Sequence, residues 1–504
     1  MPTHVVRAVP VASSRSIASV AAIVAVALVV VGTPMSAQIV TPRTVPVFQN
    51  QQFDLLPSAL AGMGGVSIAL DDSLADAFSN PARAGRLRDG KFFAAPFRHG
   101  ISGDRGGGRT LPLGGSGSAG AWSFAGAFAL QQIDRAGPMR FSQVNSDRTA
   151  TNQYLTMSAA RRMDGGITLG ASAAFAALDA VDGVDLLYGG SDRIEQSGSS
   201  ADLRLGLTKD FGGGRTLDLV VLRNSYEMTH DVRFTGPARF DSSFRIWMPV
   251  TRSEHNEDRT NILGAHAEYS QPIGTNGWRI GWLGTVNTLN HPKIPNYVLQ
   301  NIPRDPGSTL AMNAGVGLAR TVGGTTFGAD LVIEPMWANT WADLAHDTTA
   351  VGGRVIKAGG KTVENDFKFT NSLIRLGVGH DFVADSAKGS HFGFQLGLAV
   401  YSIDYRLNQQ NNVLKTSRRQ QENWMEWTPT FGLSYKARSM TVRYAYATSC
   451  AGDNCFSLGD RVELVSPQAA ERFASGIIAA PSSALTFNGG HASSHKIWVA
   501  VPIR

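Results

Sequence analysis

Apolar and polar residues alternate with a period of two along most of this chain. In residues 201–208, Leu203, Leu205 and Leu207 fall on one face, while Asp202, Arg204, Gly206 and Thr208 fall on the other. Residues 391–400 set Phe392, Phe394, Leu396, Leu398 and Val400 against Gly393, Gln395, Gly397 and Ala399. Residues 278–287 set Trp278, Ile280, Trp282 and Val286 against Arg279, Thr285 and Asn287. Side chains two apart share a face of a strand, so each segment predicts a strand with one apolar and one polar face. The pattern places strands at 120–131, 151–163, 166–178, 199–211, 214–226, 258–270, 276–288, 308–321, 324–335, 368–382, 390–405, 424–437, 439–449 and 492–503.

A soluble β-sandwich also alternates. Two features argue for a membrane barrel instead. These segments are mostly longer than the ~5–6 residues of an ordinary strand and match the ~9–11 needed to cross a bilayer at a tilt. Their connectors also alternate in length. Short ones such as MDGG (163–166), FGGG (211–214) and VGG (322–324) carry the residues that tight hairpins need. The others are long and polar. Short turns at one end and long loops at the other are the plan of an outer-membrane barrel. The reading is an all-β, transmembrane antiparallel β-barrel of fourteen strands, or sixteen if 91–99 and 109–113 form one more hairpin.

On this reading Trp122, Trp278, Trp337, Trp424, Trp427 and Tyr435 lie near strand ends, where an aromatic girdle belongs. The polar faces supply lumen-facing candidates: Asp202, Arg204, Glu268, Arg279, Asp330, Glu334, Arg375 and Arg443, with Asp218 and His266 beside them. Mixed signs favour a lumen cross-braced by ion pairs and water over a constriction that selects ions of one charge.

The N-terminus reads differently. Arg7 and Arg15 precede an apolar run over 20–31, and Met35-Ser36-Ala37 offers a small-residue exit. That run is too short to span a bilayer but suits a secretory signal peptide of residues 1–37. The remainder carries 44 Lys+Arg against 40 Asp+Glu, with no basic block, so nucleic acid is not an expected partner. In an exported protein Cys450 and Cys455, five residues apart, are expected to form a disulfide.

Chemistry of the catalytic kind is absent from the motifs. There is no G-x-S-x-G, H-E-x-x-H, phosphate-binding Walker loop or C-x-x-C, and the glycine clusters are explained as hairpin turns. His491 and His495 sit four apart on an expected strand or loop, not a helix, which is poor spacing for a metal. No enzyme activity, cofactor or metal is expected.

Residues 38–90 precede the first strand. Within them, 62–85 read GMGGVSIALDDSLADAFSNPARAG. Gly62, Gly64 and Gly65 permit sharp corners and close backbone approach. Asp71-Asp72-Ser73 can cap a short helix bearing Leu74, Ala77 and Phe78, and Asn80-Pro81 stops it. Such a compact unit suits the lumen of a wide barrel formed by 91–504.

This stretch resembles the N-terminal signature of the FadL/TodX-type outer-membrane transport superfamily, which includes PorV-like barrels. Gly64, Gly65, Asp71, Asp72, Asn80, Pro81 and Ala82 carry the match. The chain departs from the pattern at Arg83-Ala84, where the family usually has Gly-Leu, and ends in Arg504 instead of an aromatic residue. The resemblance implies a fourteen-stranded outer-membrane barrel of a Gram-negative-type envelope. An N-terminal plug fills its lumen, and small hydrophobic compounds, fatty-acid-like or aromatic, pass inward. Membrane lipid and a hydrophobic ligand are then the partners. The alternatives are a PorV-like barrel that binds secreted or surface proteins, a structural barrel, or a water-filled porin if the N-terminal segment hangs outside.

Overall fold

The computed structural model describes residues 52–503, apart from 102–106, 135–149, 182–190, 242–245, 292–306, 386–389, 452–489 and the single positions 54, 73, 75, 88, 192 and 345. The expected signal peptide lies outside the described residues. Sixteen antiparallel strands close on themselves. They are β1 (Lys91–Ala94 and Phe97–Ile101), β2 (Gly107–Ala119), β3 (Trp122–Asp134), β4 (Ala150–Met163), β5 (Ile167–Leu178), β6 (Arg193–Gly212), β7 (Arg215–Asp241) and β8 (Ile246–Ile273). The ring continues with β9 (Trp278–His291), β10 (Gly307–Val322), β11 (Thr325–Asp343), β12 (Lys361–Asp385), β13 (Ser390–Asn411), β14 (Thr416–Lys436), β15 (Thr441–Ala451) and β16 (Gly490–Pro502). β1 pairs with β2 on one side and β16 on the other, which seals the barrel. The extra hairpin, β1–β2, makes the count sixteen.

Alternation governs each wall. Along β3, Ser123, Ala125, Ala127, Ala129, Gln131 and Ile133 are buried inward, whereas Trp122, Phe124, Phe128 and Leu130 stay exposed outward. The outward set continues around the ring through Leu155, Leu205, Val316, Leu331, Leu376 and Leu396. A closed ring leaves no unpaired backbone edge, the condition for strands in hydrocarbon. The short-turn end is built on left-handed glycines: Gly212, Gly213 and Gly214 have φ of 76°, 65° and 76°. Only glycine adopts such a run without steric cost.

β1 is broken at Ala95-Pro96. The Ala95 N–H donates to Pro112 O at 2.9 Å, and the Ile497 N–H donates to Pro96 O at 2.9 Å. Neither proline has an N–H to return, so β1 loses a ladder bond on each side at the same level.

Two differences from the alternation pattern have a common cause. β7 and β8 run far past 226 and 258, and β13 and β14 meet near 411–416, where long loops were expected. Beyond the lipid band both faces of a strand meet water, so pairing continues while the apolar period lapses. Trp424 also departs from the girdle: it is 6% exposed and faces inward. It stands an odd number of residues from Trp427, so the two must face opposite sides.

Candidate functional site

Residues 52–87 thread the interior as a chain of corners. A short 3₁₀ turn, Ala61–Met63, ends at Gly64 with φ of 72°. Asp72 then organises the next corner: its carboxylate accepts from Ser58 Oγ at 2.5 Å, Ala59 N at 2.9 Å and Leu74 N at 3.0 Å. One turn of helix, α1 (Asp76–Ser79), follows. Asn80 starts a second 3₁₀ turn, Pro81–Arg86, with its side-chain oxygen accepting from Ala82 N at 3.0 Å. Proline fits that first position because the N–H it lacks has no partner there. Leu74, Ala77 and Phe78 pack on Phe93, Ala125 and Trp498 of the wall.

The wall receives this segment on pairs of glycines. Gly377 and Gly397 face each other across β12 and β13, beneath Met63 and Gly64. Gly281 and Gly317 face each other across β9 and β10, beneath Ile68. Gly170 and Gly206 face each other across β5 and β6, beneath Pro81 and Ala82. A Cβ at Gly317 would lie 2.6 Å from Ile68 Cβ, and one on Gly62 would lie 2.7 Å from Gly432 Cα. Backbone thus sits on backbone at the corners, a fit that any side chain would spoil.

Polar contacts complete each seat. Thr430 Oγ1 accepts from Gly64 N at 2.8 Å and donates to Gly62 O at 3.0 Å. Asp330 Oδ2 accepts from Ser67 N at 2.8 Å, and Arg375 stands 3.7 Å from the same oxygen. Gln395 donates to Ala59 O at 2.9 Å, and Arg443 to the same oxygen at 3.5 Å.

The third seat is ionic. Arg83, 8% exposed, reaches Asp76 at 2.9 Å, Asp218 of β7 at 3.0 Å and Glu268 of β8 at 2.9 Å. Asn80 also donates to Asp218 at 3.1 Å, and Arg86 binds Asp71 at 2.7 Å. Burial opposes the charge on Arg83, yet Glu268, Asp218 and Asp76 outweigh it and raise its pKa well above the ordinary value. Asp76 fares otherwise. Burial pushes its pKa up to about 7 despite Arg83, helped by neighbouring Asp72 and Asp71. Arg83 is divided among three carboxylates, and Arg86 adds a more distant counter-charge, 3.9 Å from Asp76 and 3.6 Å from Asp218.

The remaining lumen-facing candidates lie on inward faces. Arg204 binds Asp202 at 2.6 Å and donates to Ser79 O of the segment at 3.2 Å. Arg279 donates to Ser270 Oγ at 2.8 Å, and Glu334 accepts from Tyr401 OH at 2.6 Å. Gly65, with φ of 72°, meets nothing within 4 Å of an added Cβ, so its role is conformational. Cys450 is disulfide-bonded; Cys455 lies outside the described residues.

Further along the lumen, toward the long loops, the inward face of β12–β14 turns aromatic. Phe367 and Phe369 stack, and Tyr405 and Trp424 join them in tilted and edge-on contacts, with centroids 5.6–6.2 Å apart and Met336, Ile403 and Leu407 behind. Polar tips are satisfied locally: Tyr405 OH donates to Glu422 at 2.5 Å and Trp424 Nε1 to Glu426 at 3.2 Å.

In the sequence Arg83 stands only as a departure from the family signature and Gln395, Gly206 and Gly397 only as polar-face positions, while Arg86 and Thr430 carry no signal of their own. The signal of the seat glycines was present in part: glycines recur at polar-face positions of several strands, where a membrane barrel would otherwise place a lumen side chain.

No protein-family model matches the chain, and no curated protein matches it. Among solved structures it is similar to the monoaromatic hydrocarbon channel CymD, with 10% identity and a TM-score of 0.39 over 89% of this chain and 98% of that one. It is similar to the Pseudomonas putida toluene transporter TodX, with 11% identity and a TM-score of 0.37 over 88% and 96%. A Pseudomonas aeruginosa FadL homologue gives 11% identity and 0.37 over 89% and 99%.

Proposed function

We propose that this protein is an outer-membrane channel for the passive uptake of small hydrophobic compounds, with residues 38–90 acting as its plug. The inward aromatic arc of Phe367, Phe369, Tyr405 and Trp424 carries the reading. A water-filled pore is polar inside, whereas these side chains, 0–6% exposed, form a buried apolar cluster that a hydrophobic solute would leave water to join as the cluster parts. Compounds would be captured at the long-loop end, rest on the arc and move on when the plug shifts at its glycine seats. Glu334, Glu422 and Glu426 stand beside the aromatic groups. Their charge disfavours a carboxylate headgroup, so uncharged aromatic or alkyl compounds suit the arc better than fatty-acid anions.

The test is a liposome assay on the purified protein with three probes: a labelled aromatic hydrocarbon, a labelled long-chain fatty acid, and osmotic swelling in a small sugar. Faster hydrocarbon transfer without swelling is the expected result. Swelling would identify an open porin. No signal from any probe would favour the partner-binding barrel, for which the 27- and 28-residue strands β7 and β8 offer a raised surface. Deleting residues 48–88 should raise conductance sharply, and unchanged conductance would rule out the plug.

A further inference from the structure

Arg98 of β1 and Arg109 of β2 stand directly opposite each other in the strand register. His495 of β16 stands directly opposite Arg98 on its other side. All three are exposed on the outward face. On the short-turn side of this row the same face is apolar: Leu111, Leu113, Leu130 and Ile497 are 42–48% exposed. The long-loop ends of β1 and β2, Ile101 and Gly107, lie within three residues of Arg98 and Arg109. The row is therefore the first polar level above the lipid-facing band, on the shortest hairpin among the described strands.

Like charges directly opposite on a sheet repel and cost stability. Asp134 meets Arg109 at 3.3 Å, but Arg98 has no ion-pair partner among the described residues. His495 is held from the other side: Tyr444 OH lies 2.9 Å from its Nδ1, and the Tyr446 ring is centred 4.9 Å away. Two guanidinium groups and an imidazole thus converge at a membrane boundary with one carboxylate among them.

We propose that Arg98, Arg109 and His495 bind the phosphate of an anionic membrane lipid headgroup at the long-loop surface. Guanidinium groups bind phosphate through paired N–H donors, and basic residues at a membrane surface attract anionic lipid. A lipid suits the place better than a free anion because its acyl chains would lie along Leu111, Leu113, Leu130 and Ile497 while its phosphate meets the cations. The outward face carries this site whatever passes through the lumen.

The experiment titrates the full-length protein, in neutral detergent, with diphosphorylated lipid A, phosphatidylcholine or inorganic phosphate, and reads the thermal unfolding midpoint. Lipid A should raise the midpoint saturably; phosphatidylcholine and millimolar phosphate should not. In the double variant Arg98→Gln/Arg109→Gln, apparent affinity should fall by roughly twenty-fivefold, from about fivefold per lost cation. Asp134→Asn frees Arg109 from its internal partner and should tighten lipid A binding severalfold. An unchanged affinity in the double variant, or an equal response to phosphatidylcholine, overturns the site. An equal response to inorganic phosphate makes it a free-anion site and overturns the lipid. If the double variant fails to fold, Asp134→Asn decides alone: no tightening means that the cations bind no lipid phosphate.

Discussion

Arg83 Nη2 donates to Asp218 Oδ2 across 3.0 Å, tying the N-terminal segment to a strand 135 residues further along the chain. The same guanidinium also holds Asp76 and Glu268. Replacing it with an apolar side chain takes the nearest counter-charge from three carboxylates and leaves only Arg86, 3.9 Å from Asp76 and 3.6 Å from Asp218. Arg83→Met should weaken docking of the segment by about 3–5 kcal/mol, the usual cost of breaking a buried ion pair from one side. Planar-bilayer conductance should rise, and protease should cut the segment faster. Arg83→Met with Asp218→Asn should recover part of the loss; a loss equal to the sum of the two single-variant losses would show that the two residues are not energetically coupled.

The glycine seats make a steric prediction. A Cβ at Gly397 would run into the backbone of Met63 and Gly64, whereas one at Gly284 meets nothing within 4 Å. Gly397→Ala should loosen the segment by about 1–3 kcal/mol, as overpacking does, while Gly284→Ala should leave it in place. Comparing proteolysis of the segment in the two variants checks this. Equal behaviour would mean that the seat yields.

Leu205 is 60% exposed on the outward face of β6. Leu205→Arg should impair folding into lipid by about 2–4 kcal/mol if that position lies near the bilayer midplane. Heat-modifiable gel mobility after refolding into vesicles reads the folded fraction. A variant that folds as well as the parent would reverse the assignment of inner and outer faces.

Asp76 makes stability fall with rising pH. Its pKa is about 7 in the folded protein and near 3.8 when unfolded. Between those values the folded state holds a proton that the unfolded state has released, so stability drops as pH rises from about 4 to 7 and then levels. Asp76→Asn, which cannot ionise, should flatten that part of the unfolding-midpoint profile. A slope unchanged in Asp76→Asn would assign it to other groups.

Much of the wall was legible because lipid and lumen impose their contrast on every second residue. Leu203, Leu205 and Leu207 needed no partner to be read as one face. The broken strand β1 was harder, since Pro96 and Pro112 remove ladder bonds without disturbing the alternation of Phe93, Ala95 and Phe97. The outer halves of β7 and β8 were not legible at all, because strands bathed in water on both faces carry no apolar period. In the N-terminal segment, Asp72 was readable as a cap and Asn80-Pro81 as a break because their local partners lie close along the chain, although Asn80 also caps the turn that follows.

By itself the sequence determined where strands cross, which face meets lipid and where the interior segment turns, because each of these depends on neighbours close along the chain. Only the tertiary structure decided what that segment grips. Ser67 meets Asp330 across 263 residues and Gly64 meets Thr430 across 366. Such pairs are set by the register of every intervening strand and by closure of the ring, and no local pattern encodes their sum. The same holds for Arg98 and Arg109: each reads as one polar residue on its own strand, and it is the pairing of β1 with β2 that sets the two charges face to face.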